Sequence, residues 1–302
     1  MHKYKITVFT ATYNRAYLLE NVYNGLKSQT LPIDMFEWLI IDDGSEDNTK
    51  ELVEKFISED KLNINYVYKE NGGKHSAINV ATNFAKGELF FVLDSDDDIV
   101  TDALEIVRDE WDLIENKDGF NGVIGLCAFP NGEVIGTKMP EHVKDCPFAD
   151  LFFKYGVKGD KTIIFVTEIL KQFPFPEREG INFLPESVVW FEMSKYYNIK
   201  CVNKILRKSD YLEDGLTKNM FRKKSLKGRA LEFLILTNQN TYPINKYPYM
   251  WIKNYINLAR YSLLSGSNHF KEIDGVFNKF MYIIMFPLGF YKYWGQRKQV
   301  WE

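Results

Sequence analysis

Apolar and polar positions along this chain alternate between two rhythms. Ile6 to Ala11 is a β-rich segment that turns at Thr12-Tyr13-Asn14-Arg15 into a stretch reaching about Gln29, where Leu18, Leu19, Val22 and Leu26 recur at helical spacing. Trp38-Leu39-Ile40-Ile41 reads as a buried strand ended by Asp42-Asp43-Gly44-Ser45, and Leu52, Val53, Phe56 and Ile57 put a helix after it. Ile64 to Tyr68 is a third strand, followed by the polar loop Asn71-Gly72-Gly73-Lys74-His75 and a helix marked by Ala77, Ile78, Ala81 and Ala85. The fourth strand is the stretch on which the rest is organised, GELFFVLDSDDD from Gly87 to Asp98. Its run from Leu89 to Leu93 starts after a glycine turn and stops abruptly in acids, the pattern of a strand buried on both faces.

This order calls for a parallel, Rossmann-like sheet with helices on both faces, an α/β fold. Three strands end in polar clusters: Thr12 to Arg15, Asp42-Asp43 and Asp94-Ser95-Asp96. In a doubly wound sheet such ends converge on one crevice. Beyond Asp102 the pattern predicts a helix to about Asn116, then a strand from Gly122 to Phe129. A turn at Pro130-Asn131-Gly132 suggests an antiparallel excursion there. Thr162 to Val166 is another short strand, and Pro185-Glu186 opens an amphipathic helix through Val188, Val189, Phe191 and Met193. The C-terminal part reads as helices broken near Pro243, Pro248 and Ser265 to Ser267. The expected division is an α/β domain over 1–217 and a helical extension over 218–302.

Composition narrows the function classes. Lys and Arg total 38 against 41 Asp and Glu, so the overall charge does not point to nucleic acid, although Lys195 to Arg229 holds eleven cations against three acids. Cys127, Cys146 and Cys201 are odd in number and carry no CxxC, and they read as buried thiols in a reducing compartment. The N-terminus lacks the apolar core of a signal peptide, and no run reaches the roughly 18 apolar residues of a membrane span, so the expected location is cytoplasmic.

Like charges packed as closely as Asp94, Asp96, Asp97 and Asp98 need something positive among them, and a divalent cation is the natural occupant. Three readings are open: a solvated acidic loop, a calcium loop, and a catalytic metal site bridging a diphosphate. Asp94, Asp96, Asp98 and Glu105 fit positions 1, 3, 5 and 12 of a calcium loop, yet Ile99 stands where that loop needs glycine. The diphosphate reading is favoured. Asp42-Asp43-Gly44-Ser45 is a turn in which Ser45 or Asp47 caps a helix, or a strand-end carboxylate receiving a base N–H or ribose hydroxyl. Arg15 and Lys74 are surface cations or partners of phosphate oxygens.

The segments FTATYNR, IIDDGSEDNT, NGGKHSAIN and KGELFFVLDSDD, in this order and spacing, resemble the large inverting family 2 of nucleotide-sugar glycosyltransferases, which have the GT-A fold. The resemblance is clearest from residue 4 to about 110 and continues more loosely through FLPESVVW and YLEDGLT. It implies a UDP-sugar donor bound by Ala11, Tyr13, Arg15, Asp43, Lys74, Asp94, Ser95 and Asp96. Ala11 and Tyr13 would line the nucleoside, and Asp43 would meet the uracil. Asp96, with Asp94, would hold Mn2+ or Mg2+. Glu186 falls where the family has its catalytic base, with Glu177, Glu179 and Glu192 as rivals. The implied partner is a glycan or lipid-linked glycan acceptor in bacterial surface polysaccharide synthesis. A nucleotidyltransferase, which would release pyrophosphate, and a calcium-binding module without enzymatic activity are the alternatives.

Phe280 to Tyr291 is a largely apolar stretch followed by Lys292, Trp294, Arg297 and Lys298. It is too short to span a bilayer and is expected to break at Pro287 and Gly289. Residues 276–298 are either a packed helix or a peripheral anchor at the inner membrane face.

Overall fold

The computed structural model describes residues 2–210 and 223–300. In chain order the elements begin with β1 (Tyr4–Thr12), α1 (Ala16–Lys27), β2 (Phe36–Asp42), α2 (Thr49–Ser58), β3 (Ile64–Tyr68), α3 (Lys74–Phe84) and β4 (Gly87–Val92). There follow β5 (Asp97–Ile99), α4 (Ala103–Asp112), β6 (Phe120–Ala128), β7 (Asp145–Cys146), α5 (Phe148–Phe153), β8 (Lys161–Val166) and α6 (Thr167–Leu170). The chain continues with α7 (Ser187–Met193), β9 (Asn198–Ser209), α8 (Lys223–Asn238), α9 (Pro248–Ser265) and α10 (Val276–Gln296).

Two compact units divide these elements: among the described residues one holds 2–72, 76–174 and 196–210, the other 73–75, 175–195 and 223–300. The expected boundary at 217/218, and the YLEDGLT segment beside it, lie outside the described residues.

The first unit carries a nine-stranded sheet in the order β3-β2-β1-β4-β8-β6-β9-β5, with β7 paired to β9. Strands β3, β2, β1 and β4 are parallel neighbours. The antiparallel excursion comes in at β8, which runs against both β4 and β6. β4 is apolar on both sides because both sides are covered, and Leu89, Phe90 and Phe91 are fully buried. Gly87 opens it because a Cβ there would lie 2.3 Å from the Thr7 backbone nitrogen.

One cluster of the core joins Val8, Trp38, Ile40, Leu89 and Phe91 of the sheet to Leu19, Val22 and Leu26 of α1, Phe56 of α2 and Leu104, Val107 and Trp111 of α4. Burying side chains of this size contributes about 1.5–3 kcal/mol each. Tyr23 stacks on Phe56 at 4.1 Å, and the Trp38 indole N–H donates to Thr10 Oγ1 at 3.0 Å, so the largest core ring keeps its polar group satisfied. All three cysteines are buried and free.

The second unit is helical. α9 starts on Pro248 at its first turn and ends on Gly266 in the left-handed region (φ +70°), so the breaks expected near Pro248 and Ser265 are real. The break expected at Pro287 and Gly289 is not. α10 runs unbroken from Val276 to Gln296 with Pro287 inside it. Its packing explains this: Gly289 is buried, and a Cβ there would sit 2.5 Å from Ala259 Cβ, so the glycine lets α10 lie directly on α9. No helix of the described residues is long and apolar enough to cross a membrane.

The loop after β2 also starts α1. Asp47 Oδ2 accepts from the Ala16 backbone N–H (3.1 Å), and Oδ1 accepts from the Thr49 N–H (3.1 Å) and hydroxyl (2.5 Å). Burial pushes the Asp47 carboxyl up, but these hydrogen bonds outweigh it and hold the group below its ordinary value. A depressed folded value means the stabilisation is present above the unfolded pKa and is lost as pH falls through the folded one. Asp47→Ala is therefore expected to cost about 1 kcal/mol in denaturant unfolding at pH 7. The gap to wild type should close as pH drops below about 4.

Candidate active site

The C-terminal ends of β2, β1 and β4 are sheet neighbours, and they carry Asp42-Asp43, Ala11 to Arg15 and Asp94 to Asp96. Backbone bonds continue the pairing past the strands: Asp43 N donates to Thr12 O (2.8 Å) and Leu93 N to Phe9 O (2.9 Å). The loops after β1 and β2 are laced together. Asn14, at φ +53°, donates its N–H to Ser45 Oγ (2.9 Å) and accepts from Glu46 N at Oδ1 (2.8 Å). Asparagine tolerates that left-handed backbone better than most residues. Gly44 has no such freedom to spare: at φ +90° a Cβ would meet the Asn71 nitrogen at 2.9 Å. Between these loops Ala11 is half-buried, and the Tyr13 ring is 48% exposed, leaving a face on which a planar group can stack.

The two acids after β2 have different tasks. Asp42 is buried and holds the turn, accepting from the Tyr66 hydroxyl (2.6 Å) and Ser45 N (2.8 Å). Asp43 receives the Lys69 ammonium (2.7 Å) and the Gly72 N–H (2.9 Å), both on Oδ1. Lys69, which the sequence pattern did not single out, therefore orients Asp43 from the end of β3.

In the acidic turn, Arg15 Nη1 lies 3.1 Å from Asp96 Oδ2, with both side chains about one-fifth exposed. Asp97 is almost fully buried and pairs with the Arg207 guanidinium of β9. Burial pushes the Asp97 carboxyl up, Arg207 pulls it back down, and nearby Asp94 and Asp96 push it up again. Ser95 is buried and Asp98 exposed.

Arg15 and Arg207 thus bring positive charge to this cluster. Among the described residues no three His, Cys, Asp or Glu side chains come together as a metal cage. The calcium-loop spacing does not close either. Asp97 to Ile99 form β5 on β9, while Glu105 accepts from the Thr30 hydroxyl (2.7 Å) and pairs with Arg108 (3.1 Å). The donor set fits a Mg2+ or Mn2+ ion held by one or two carboxylates, with the remaining ligands supplied by phosphate oxygens and water.

In the second unit, Glu186 is the N-cap residue of α7, and Lys74 is the first residue of α3 rather than part of the preceding loop. Lys74 Nζ lies 2.7 Å from Glu186 Oε1. Just behind, Gly73 at φ +89° leaves no room for a Cβ, which would meet the Asn182 carbonyl oxygen at 1.9 Å. α7 is fastened by the Ser187 hydroxyl donating to the buried Glu232 (2.8 Å), itself paired with Arg229 (2.6 Å). Among the rival acids, Glu192 is paired with Lys195 (2.6 Å), while Glu177 and Glu179 lie exposed.

The profile of glycosyl transferase family 2 matches residues 7–166, more than half of the chain. The chain belongs to that family. It is 36% identical over 116 residues to an uncharacterised glycosyltransferase of Mycoplasma pneumoniae, covering 38% of each protein. It is 34% identical over 101 residues to the poly(ribitol-phosphate) β-N-acetylglucosaminyltransferase TarS of Staphylococcus aureus, covering 33% of this chain and 18% of TarS. The matched stretch thus spans well under half of either relative.

Among solved structures, TarS 1–349 in complex with UDP-GlcNAc aligns over 93% of this chain and 79% of that one (TM-score 0.59, 22% identity). A Pyrobaculum calidifontis mannosyltransferase in complex with GDP-Man and Mn2+ aligns over 99% and 84% (TM-score 0.58, 17% identity). At these identities the likeness is one of fold, the GT-A architecture that the motifs imply.

The Asp97–Arg207 pair makes a direct stability prediction. Arg207→Met should cost about 3–5 kcal/mol at pH 7, because it strands a buried carboxylate beside two others. Adding Asp97→Asn should recover most of that loss in the same unfolding measurement.

Proposed function

We propose that this family 2 member is an inverting, metal-dependent glycosyltransferase that moves a sugar from a UDP-sugar to a hydroxyl of a glycan acceptor. The observation that carries the reading is the meeting of Tyr13, Asp43 and Asp94-Ser95-Asp96 at three neighbouring strand ends. The TarS complex with UDP-GlcNAc, on a similar fold, supports the choice of nucleotide.

In this reading the exposed Tyr13 ring stacks on the base beside the Ala11 backbone. Asp43, fixed by Lys69, accepts the uracil N–H. Asp94, with Ser95 beside it, meets the ribose. Arg15 and Lys74 turn to phosphate oxygens, where an arginine offers two parallel donors and a lysine a point charge. Asp96, with Asp94, would hold Mn2+ or Mg2+ together with the diphosphate, and the chemistry supplied there is neutralisation of the charge on the departing nucleoside diphosphate.

Glu186 takes the proton from the acceptor hydroxyl as its oxygen bonds to the anomeric carbon. The sugar–phosphate bond breaks on the opposite face, the electron pair leaves with UDP, and the anomeric centre inverts in a single displacement. Lys74 pairs with Glu186, and its turn to a donor phosphate would release that carboxylate to the acceptor hydroxyl.

The acceptor is read as a lipid-linked glycan of bacterial surface polysaccharide synthesis, with residues 276–298 touching the inner face of the cell membrane. The basic bias over 195–229 suits an anionic acceptor; much of it lies outside the described residues.

Two substitutions test the assignment. Asp96→Ala should abolish manganese-dependent UDP release from the preferred donor in a panel of UDP-, GDP- and dTDP-sugars. Glu186→Gln should lower transfer by at least about a hundredfold, the contribution of a general base, while UDP binding persists. Near-normal turnover in Glu186→Gln would remove it as the base, and pyrophosphate in place of UDP would mark a nucleotidyltransferase.

A further inference from the structure

α10 leaves one side uncovered. Phe277, Phe280, Ile284, Leu288, Tyr291 and Trp294 follow one another at helical spacing and are 47–78% exposed. Tyr282 and Gly289, on the opposite side, are buried. A contiguous apolar surface of this kind marks a docking face. Its surroundings are one-signed. Residues 248–300 contain Lys253, Arg260, Lys271, Lys279, Lys292, Arg297 and Lys298, but only two acids, Glu272 and Asp274, both ahead of α10. A two-fold contact with a second copy would bring these cations against themselves. An anionic surface would not.

At the C-terminal end of this face lies an open groove of about 430 Å3 lined by Arg260, Tyr291, Lys292, Trp294, Gly295 and Gln296. Its polar atoms are poorly served by the protein. Arg260 makes a long bond to Asn257 (3.4 Å) and lies over the Tyr261 ring (4.5 Å), and among the described residues no carboxylate pairs with it. Arg260 Nε and Gln296 Oε1 are both buried without a hydrogen-bond partner. Leaving such groups unmet costs roughly 1–3 kcal/mol each. A flip of the Gln296 amide would turn its NH2 into the same place. A guanidinium, an ammonium and an amide NH2, rimmed by Tyr291 and Trp294, suit one ligand chemistry: a phosphate at the boundary between water and hydrocarbon. Aromatic rings favour that depth, with cations just outside it.

We propose that the Arg260–Lys292–Gln296 groove takes the headgroup phosphate of an anionic phospholipid while the apolar face of α10 lies in the bilayer interface. The inference rests on the reading of 276–298 as a membrane-contacting segment and adds the site that selects the lipid.

The test is co-sedimentation of the full chain with vesicles, without donor or acceptor, so it does not depend on sugar transfer. Wild type should bind phosphatidylglycerol–phosphatidylcholine vesicles at least about tenfold better than phosphatidylcholine alone, since each cation near an anionic surface adds about a factor of five. Arg260→Gln/Lys292→Gln should lose most of that preference and keep the residual binding to phosphatidylcholine. Phe280→Ser/Ile284→Ser should lose both. Lys292→Glu, on an exposed side chain, decides the matter if the double variant unfolds early in a thermal melt, and it should weaken binding to the charged vesicles alone. A full preference for phosphatidylglycerol in both groove variants would overturn the headgroup site while leaving membrane contact standing. Absence of vesicle binding by wild type would overturn both. So would inorganic phosphate binding at the groove without vesicle binding, or a dimer by light scattering that Phe280→Ser dissolves.

Discussion

Several carboxylates gathered at the end of a buried strand repel one another, and the architecture of the first unit depends on how that repulsion is met. Two arginines meet it. Arg207 reaches Asp97 from β9, more than a hundred residues away in sequence, and Arg15 reaches Asp96 from the loop after β1. The first pair is buried, and it ties the short strand β5 to β9 where their backbones also pair. The second is partly exposed and open to exchange. A phosphate-bearing ligand could take Arg15 while a cation takes Asp96, conserving the charge balance that the turn requires. Stability and the proposed binding therefore draw on neighbouring carboxylates of one turn: Asp97 serves the fold, and Asp94 and Asp96 are the ones the proposal assigns to a ligand.

Much of this was legible in the sequence because its physical cause is local. The run Leu89 to Leu93 announces a strand covered on both faces, and Leu18, Leu19, Val22 and Leu26 announce the helix stripe above the sheet. Ser45 and Asp47 are the two candidate caps; Asp47 is the one that accepts from the first residue of α2, while the N-cap position itself is Asn48. What escaped has non-local causes. β9 is twelve residues long, yet its burial is irregular, and its lysines read as a basic run rather than a strand. Neither Arg207 with Asp97 nor Lys69 with Asp43 has a spacing that would have announced it. The arginines that pair with the acidic turn lie far from it in the chain, so nothing in the turn itself announces them.

Pro287 shows the same limit from the other side. Proline removes a hydrogen bond from a helix interior and normally ends or bends it. Here the helix persists, with Gly289 two residues on allowing backbone-close packing on α9. Tertiary contact overrides local preference, and the unbroken α10 that results is long enough to present its uncovered apolar side as one continuous face.

The central claim is that the ends of β1, β2 and β4 form a nucleotide site whose base recognition runs through Asp43. Calorimetric titration of wild type and Asp43→Ala with UDP, GDP and dTDP tests this most directly. The account predicts that wild type binds UDP in preference to GDP, and that Asp43→Ala weakens UDP by roughly tenfold or more, the loss of a hydrogen bond to a charged group. Equal binding of all three nucleotides, or UDP affinity unchanged in Asp43→Ala, would contradict it.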